Sequence, residues 1–174
     1  MSITSYKFFP SNQLTNSIFS VLRYGIAPRL LEAGAKPRIE VFNPCDDSDD
    51  QKTSTAILFT DGGEFIAFGT NALQRYAEML DDEETGMLFQ TYKLHLLHMD
   101  ANALSLDGRE LPLMKVISES LRFIGAKAME KLSEQVGKIV KTKIRWVITV
   151  PALWSEEHKF FMRKAAQEAG IIDD

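Results

Sequence analysis

The feature that most constrains this chain is a predicted buried strand that stops at a proline and is followed at once by a helix. Residues 144–150 are dominated by β-branched and aromatic side chains, and their apolarity is too continuous for a strand with one face in water. Pro151 cannot extend a hydrogen-bonded ladder, so the strand is predicted to end there. We therefore expect an interior strand at residues 144–150.

A helix is predicted directly after this strand. Ser155 is a favourable N-cap, and Glu156 and Glu157 place negative charge in the first turn, where the helix dipole favours it. Gly170 is expected to close the helix. The apolar positions recur with helical spacing at Met162, Ala165, Ala166 and Ala169.

The composition fits one globular domain. The chain has 174 residues, of which 45% are hydrophobic and 25% charged, and its net charge of -4 argues against a broad nucleic-acid-binding face. The single cysteine, Cys45, cannot form an internal disulfide, and no stretch approaches the ~18 apolar residues that a membrane span requires. We therefore expect a cytoplasmic protein that binds neither nucleic acid nor a membrane.

The chain is predicted to divide into a helical segment at residues 1–36 and a folded domain at residues 37–174. Apolar residues lie close to helical spacing between Leu14 and Leu30, with an interruption near Gly25 and Pro28. This stripe either covers the core of the same domain, which is the commoner role of an apolar face, or docks a partner.

Turn signals and periodicity predict the remaining elements. Residues 88–99 fit a strand or a short helix equally well. The other predictions are a strand at Arg38–Phe42, a hairpin of residues 55–60 and 65–68, a helix capped by Thr70 or Asn71 and running to Leu80, a second hairpin around Asp107 and Gly108, and a long helix from Pro112 to Val136. Each helix is expected to bury one apolar face: Leu73, Tyr76, Ala77 and Leu80 in the shorter helix, and Leu113, Ile117, Leu121, Ile124, Ala128, Leu132 and Val136 in the longer one.

Two stretches, one with histidines and one rich in aspartate, contain residue types that ligate metals. His95, His98 and Asp100 have a spacing that could supply ligands from a helix, but no further cysteine or histidine completes a set. The aspartate-rich residues 46–50 lack the glycine and terminal glutamate of a loop-type calcium site. We therefore expect surface side chains in both places and no metal centre.

The letters at the strand–proline–helix junction carry a family resemblance. Val147-Ile148-Thr149-Val150-Pro151-Ala152, followed by Phe161-Met162-Arg163-Lys164-Ala165-Ala166 and Ala169-Gly170-Ile171, resembles the first lobe of the nucleotide-binding domain of the seventy-kilodalton heat-shock proteins. Trp154 and the Phe-Met-Arg stretch make it look most like the divergent subgroup twelve. The opening hairpin, Thr53 to Gly69, also looks like that of the family, and the similarity spans roughly residues 39–172.

The resemblance implies an α/β fold: part of an actin-like, ribonuclease H-like ATPase lobe with a mixed sheet and flanking helices. It also implies ATP and magnesium as cofactors of the full-length family. The family's Asp-x-Gly-Thr phosphate hairpin does not occur in this sequence. Phosphoryl transfer depends on positioned cations and dipoles around the phosphates, so neither tight ATP binding nor hydrolysis is expected of this chain alone.

The resemblance also implies roles for three residues. Lys93 corresponds to the family's catalytic, nucleotide-binding lysine that reaches toward the γ-phosphate; without that likeness it would be read as a surface lysine covering Tyr92 or Leu96. Pro151 and Lys159 correspond to a proline and an arginine that couple nucleotide state to the arrangement of the lobes. Lysine in place of arginine puts a planar or bidentate contact there in doubt.

Three functions stay open on the sequence. The chain is an ATPase lobe that needs a missing second lobe or another protein chain, a nucleotide-free interaction module that uses residues 12–33 as its contact helix, or a gene-model or splice fragment whose start replaced the phosphate hairpin. Whether it is an enzyme is therefore undecided at this point.

Overall fold

The computed structural model describes residues 22–26, 38–42, 44–45, 53–136, 144, 146–151 and 154–172. Seven strands and four helices lie within these residues. Their bounds are β1 Leu22–Ile26, β2 Arg38–Phe42, β3 Ala56–Phe59, β4 Phe65–Phe68, α1 Thr70–Asp81, β5 Met87–Gln90, α2 Lys93–His98, β6 Asn102–Leu104, β7 Glu110–Pro112, α3 Leu113–Val136 and α4 Glu156–Glu168.

The described strands form three small antiparallel sheets. The largest has the order β4-β3-β5, and β1 with β2 and β6 with β7 form two separate pairs. The α/β class and both predicted hairpins are therefore confirmed. The expected mixed sheet is wrong for this part of the chain, because every strand pair in it is antiparallel.

Strand β3 lies at the centre of the core. All four of its residues are buried, and alternate side chains enter two different clusters. Ile57 and Phe59 pack in the larger cluster with residues of α3 and α4, whereas Ala56 and Leu58 pack with Ala72 and Met79 of α1 and with Leu88 of β5. This strand therefore carries helices on both of its faces.

The long helix α3 follows its predicted apolar face. Leu113, Ile117, Leu121, Ile124 and Ala128 are buried, as the spacing indicated, and Val116 adds to them. Helix α4 begins after Ser155 and buries Met162, Ala165 and Ala166, which confirms the predicted stripe. The residues that follow α4 pack closely against α3 at Gly125, since a Cβ there would meet the side chain of Ile171.

The predicted interior strand at residues 144–150 is wrong within the described residues. Residues 146–150 form no ladder, and their exposure alternates instead of being uniformly low. Ile148 and Val150 pack against the core, whereas Val147 is 56% exposed and Thr149 is exposed. The segment covers the core with one face only, because none of the described strands runs beside it to supply paired N–H and C=O groups.

Two further predictions need correction. Leu22–Ile26, predicted as part of an N-terminal helix, is a strand that pairs with Arg38–Phe42, and its Gly25 lies opposite Ile39. Glycine is a poor helix former, and Leu22, Tyr24 and Ile26 have the alternation of a strand. Most of the predicted 1–36 segment lies outside the described residues, so the division at residue 37 stays a prediction.

The predicted caps of α1 are also wrong. Gly69 is the N-cap, with a φ of 67°, and the helix begins at Thr70. The backbone N–H of Thr70 donates instead to the hydroxyl oxygen of Thr53 at 3.0 Å, so a residue distant in sequence takes the capping role. Leu80, expected on the buried side, is 59% exposed.

Candidate functional site

Lys93 is placed by an abrupt change from strand to helix. Strand β5 ends at Gln90, and Thr91 adopts a positive φ of 50° before α2 begins at Lys93. A β-branched residue is strained in this left-handed region, at a cost on the order of 1–3 kcal/mol. The turn therefore fixes the direction in which the chain leaves the sheet just before the lysine.

Tyr92 anchors the same turn to α3. Its side chain is fully buried, and its hydroxyl donates to Oγ of Ser120 at 2.8 Å, while Ser120 donates to the carbonyl oxygen of Val116 at 2.7 Å. Burial raises the pKa of Tyr92, since the charged phenolate is disfavoured away from water. The residue beside Lys93 is thus held by both packing and a hydrogen bond.

The Lys93 side chain is buried and its amine has no partner. The residue is 6% exposed, and its Nζ makes no hydrogen bond to any atom of the described residues. Burial lowers the pKa of Lys93 from 10.5 to about 8, because desolvation disfavours the ammonium form. The first turn of a helix is also an unfavourable place for positive charge.

A buried amine without an acceptor can bind an anion. A buried donor without an acceptor costs about 1–3 kcal/mol, and an oxyanion placed beside it would remove that cost and restore the charged form. Perturbed and unsatisfied ionisable groups are more common at functional sites than elsewhere. The residue predicted as a surface side chain on spacing alone therefore has the environment of an anion-binding lysine.

Pro151 and Lys159 flank the start of α4. Pro151 is half-buried, and its carbonyl oxygen accepts from the backbone N–H of Trp154 at 3.2 Å. The Lys159 side chain is only 16% exposed, and its Nζ donates to Oε1 of Glu156 at 2.6 Å. Trp154 lies in the same core cluster as Tyr92, although the Nζ of Lys93 bonds to neither Pro151 nor Lys159.

The candidate metal ligands are engaged elsewhere or exposed. His95 Nδ1 lies 2.8 Å from Oδ2 of Asp100, and His98 is exposed. Across the described ranges, no three His, Cys, Asp or Glu side chains converge in a way that could hold a metal ion. In the same part of the chain, none of the helices is long and apolar enough to cross a membrane. The aspartate-rich residues 46–50 lie outside the described residues, and the cytoplasmic location stays a prediction.

Sequence reasoning missed several residues that shape this region. The positive φ of Thr91 has no signal in the sequence, because threonine is not a residue that favours this conformation. The Tyr92–Ser120 bond joins residues 28 positions apart and could not be read from local pattern. The stacking of Trp154 on His158 did have a signal, since positions i and i+4 meet at a helix start.

The fold and the site together define an α/β domain in which the described residues bury one lysine, Lys93, whose amine has no partner among them. The chain is 35% identical over 130 residues to human heat shock 70 kDa protein 12B, and 34% identical over 128 residues to heat shock 70 kDa protein 12A of human and of mouse. Each match covers 70% of this chain and 19% of the relative.

These matches confirm the resemblance seen in the sequence. The chain belongs to the seventy-kilodalton heat-shock protein family, and these relatives carry the name of subgroup twelve. It spans about a fifth of the length of the curated relatives it matches. No family model matches the sequence, and no solved structure matches it.

Proposed function

We propose that this chain forms part of the first lobe of an actin-like nucleotide-binding domain that binds and hydrolyses ATP when completed. The observation that carries the proposal is the Lys93 amine, which is buried and has no partner among the described residues. The resemblance in sequence is what equates Lys93 with the family's phosphate-facing lysine. Similarity to two heat shock 70 kDa proteins over 70% of the chain supports the assignment.

The unpaired amine of Lys93 supports an anionic ligand such as a phosphate. The described residues leave its Nζ without an acceptor, so an anion supplied from outside this part of the chain would provide one. When bound, Mg-ATP would supply the γ-phosphoryl group and the negative charge that develops on its oxygens. Lys93 would offset that charge from a desolvated position, where a point charge is worth more than in water.

The rest of the phosphate cradle is assigned to a partner. In the family that the chain resembles, the phosphate loops and magnesium contacts come from the Asp-x-Gly-Thr hairpin, which this sequence lacks, and from the other lobe. We therefore propose a missing second lobe or another protein chain as the partner, with residues 37–174 as the first-lobe portion. Alone, the chain is proposed to bind nucleotide weakly and to be inactive.

Pro151 and Lys159 are proposed to couple nucleotide state to the arrangement of the lobes. Lys159 is mostly buried and held by Glu156, so its charge has a defined position near the start of α4. Trp154 is buried and lies between Pro151 and Lys159 in the sequence. We propose that a change in the Glu156–Lys159 ion pair is transmitted to the core through this side chain.

Calorimetric titration with Mg-ATP tests the proposal. The chain should show no micromolar binding by itself, and should bind and hydrolyse ATP when mixed with a polypeptide carrying the nucleotide-binding region of human heat shock 70 kDa protein 12B that the match does not span. Lys93→Met should lower hydrolysis in the mixture by at least about tenfold, the usual scale for losing one electrostatic contact to a developing charge. Lys164→Met removes an exposed lysine of α4 and serves as the matched control.

Two results would contradict the proposal. If Lys93→Met left the rate of hydrolysis in the mixture unchanged, Lys93 would have no part in the reaction. Micromolar binding by the chain alone would show that the partner is not needed.

A nucleotide-free interaction module is the second candidate. Leu94 and Leu97 of α2, with Leu104 and Leu106 near β6, are large apolar residues that are between 41% and 64% exposed. Exposed apolar side chains that form one continuous patch are typical of contact surfaces. A stable chain whose mixture with the second lobe shows no nucleotide effect would favour this function.

A further inference from the structure

Two buried nitrogen atoms at the start of α4 have no hydrogen-bond partner. The indole of Trp154 is 7% exposed, and within the part of the chain that the structure describes its Nε1 bonds to no atom. Nε2 of His158 is also buried and without a partner. The two rings face each other with centroids 5.4 Å apart and an interplanar angle of 33°. Neither atom takes part in the lysine site described above.

Ser155 hydrogen-bonds to the other ring nitrogen of His158, and the direction of that bond decides which nitrogen carries the ring proton. Its hydroxyl lies 2.6 Å from Nδ1 of His158, and it makes no capping hydrogen bond to the helix. When the hydroxyl donates to Nδ1, the ring proton lies on Nε2. His158 and Trp154 then both present N–H donors, and each lacks an acceptor.

The backbone of the same turn adds further donors. Ser155 is the N-cap but leaves the first amides uncapped, and within the described residues no acceptor bonds to the N–H groups of Glu156 or Glu157. These amides carry the positive end of the helix dipole. Donors on backbone and side chains thus come from four residues of one short stretch, Trp154, Glu156, Glu157 and His158.

The acidic residues of this turn do not cancel its preference for an anion. The Glu156 side chain is 90% exposed and pairs with Lys159, and Glu157 is exposed to solvent. Charges that point into water are screened, whereas the unpaired indole and imidazole nitrogens are desolvated. A ligand that only accepts hydrogen bonds is the one that satisfies this set.

We propose that Trp154, His158 and the first turn of α4 bind an oxyanion, a phosphate or a carboxylate group, at a site separate from Lys93. The indole and imidazole N–H groups donate to its oxygens, and the free amides of the turn complete the cradle. This inference stands whether or not the chain takes part in ATP hydrolysis.

The chain carries its own internal control for a test by nuclear magnetic resonance. It has two tryptophans, Trp146 and Trp154, so a ¹⁵N-labelled sample gives two indole N–H signals. Adding sodium phosphate at constant ionic strength should move the Trp154 signal in a saturable way and leave the Trp146 signal in place. Sodium acetate in a second titration separates a phosphate ligand from a carboxylate ligand, and saturation by either supports the site.

Two variants test which groups bind the anion. Trp154→Phe identifies the indole signal of Trp154. His158→Phe keeps an aromatic ring but removes Nε2, so it should lower the affinity for the anion at least about tenfold. His98→Phe removes an exposed imidazole as the matched control and should change nothing. The phosphate response should also persist in Lys93→Met.

Three outcomes would overturn the proposal. The first is the absence of a saturable movement of the Trp154 signal with either anion, and the second is equal movement of both indole signals. The third is loss of the response in Lys93→Met, which would assign the anion to the lysine.

Discussion

Arg109 and Asp61 join two hairpins that are 48 residues apart in the chain. The guanidinium Nη1 donates to Oδ1 of Asp61 at 2.7 Å, and Nε of the same side chain donates to Oδ2 of Asp107 at 2.7 Å. Nη2 donates to the carbonyl oxygen of Gly86 at 2.8 Å, just before β5. One side chain therefore ties the β3–β4 turn, the β6–β7 turn and the start of β5 together.

Replacing Arg109 should loosen these three elements. Arg109→Leu removes the donors to two carboxylates and one carbonyl, and we expect the melting temperature to fall by a few degrees. Arg75→Leu, which removes an exposed arginine paired only with Glu78 and Glu84, should have a smaller effect. Differential scanning calorimetry compares the two. Equal losses would show that the clamp adds nothing beyond an ordinary surface ion pair.

The same clamp should make the chain sensitive to acid. Hydrogen bonds from Arg109 and then from Ser105 lower the pKa of Asp107 from 3.8 to about 2, and the pKa of Asp61 is lowered by Thr85 and then Arg109. A carboxyl group whose pKa is depressed by folding stabilises the native state above its unfolded pKa, and this contribution is lost as the pH falls through the folded value. The window therefore lies between about 4 and about 2.

Urea unfolding at a series of pH values measures this effect. The free energy of unfolding of the parent chain should fall across the window, and Asp107→Asn should show a shallower fall and a lower stability at neutral pH. If the free energy of unfolding fell equally with pH in the parent and the variant, Asp107 would not contribute to the acid sensitivity.

Lys93 should destabilise the isolated chain. Because its pKa falls from 10.5 to about 8 on folding, the unfolded chain binds more protons between these values, and stability should rise with pH across that range. Lys93→Met should raise the free energy of unfolding at neutral pH by about 1–3 kcal/mol, the cost of a buried unpaired donor, and should abolish the rise. Lys164→Met, at an exposed position, should leave both unchanged. A less stable Lys93→Met would mean that the amine is satisfied in solution.

Gly69 should be intolerant of any side chain. Its φ is positive, and a Cβ would overlap Oγ1 of Thr53 and Sγ of Cys45, which pack directly against it. Gly69→Ala should cost about 2–4 kcal/mol from backbone strain and overpacking together. Gly170→Ala is the matched control, since its φ is also positive but no atom lies within 4 Å of the added Cβ, so it should cost only about 1 kcal/mol. Chemical denaturation would contradict this reasoning if the two variants lost equal stability.

Sequence reasoning recovered the elements whose signals are local. The hairpin between β3 and β4, the stripe of α3 and the start of α4 at Ser155 follow from turn residues and periodicity. The ambiguous stretch at residues 88–99 contains both options, a strand to Gln90 and a helix from Lys93.

The remaining features depend on contacts between distant residues. Nothing local shows that Thr53 caps α1, that Arg109 reaches Asp61, or that Lys93 is buried instead of exposed. The error at residues 144–150 has a similar origin, because apolar β-branched residues favour an extended chain but do not supply the neighbouring strand that makes a ladder.

The position of β3 between two helical layers has a consequence for folding. Its side chains alternate between the two apolar clusters, so neither half of the interior can be completed while this strand is out of place. Substitutions at Ile57 and Leu58, although they point in opposite directions, would weaken one and the same cooperative transition. We therefore expect the domain to unfold in one cooperative transition, without an intermediate in which only one helical layer is lost.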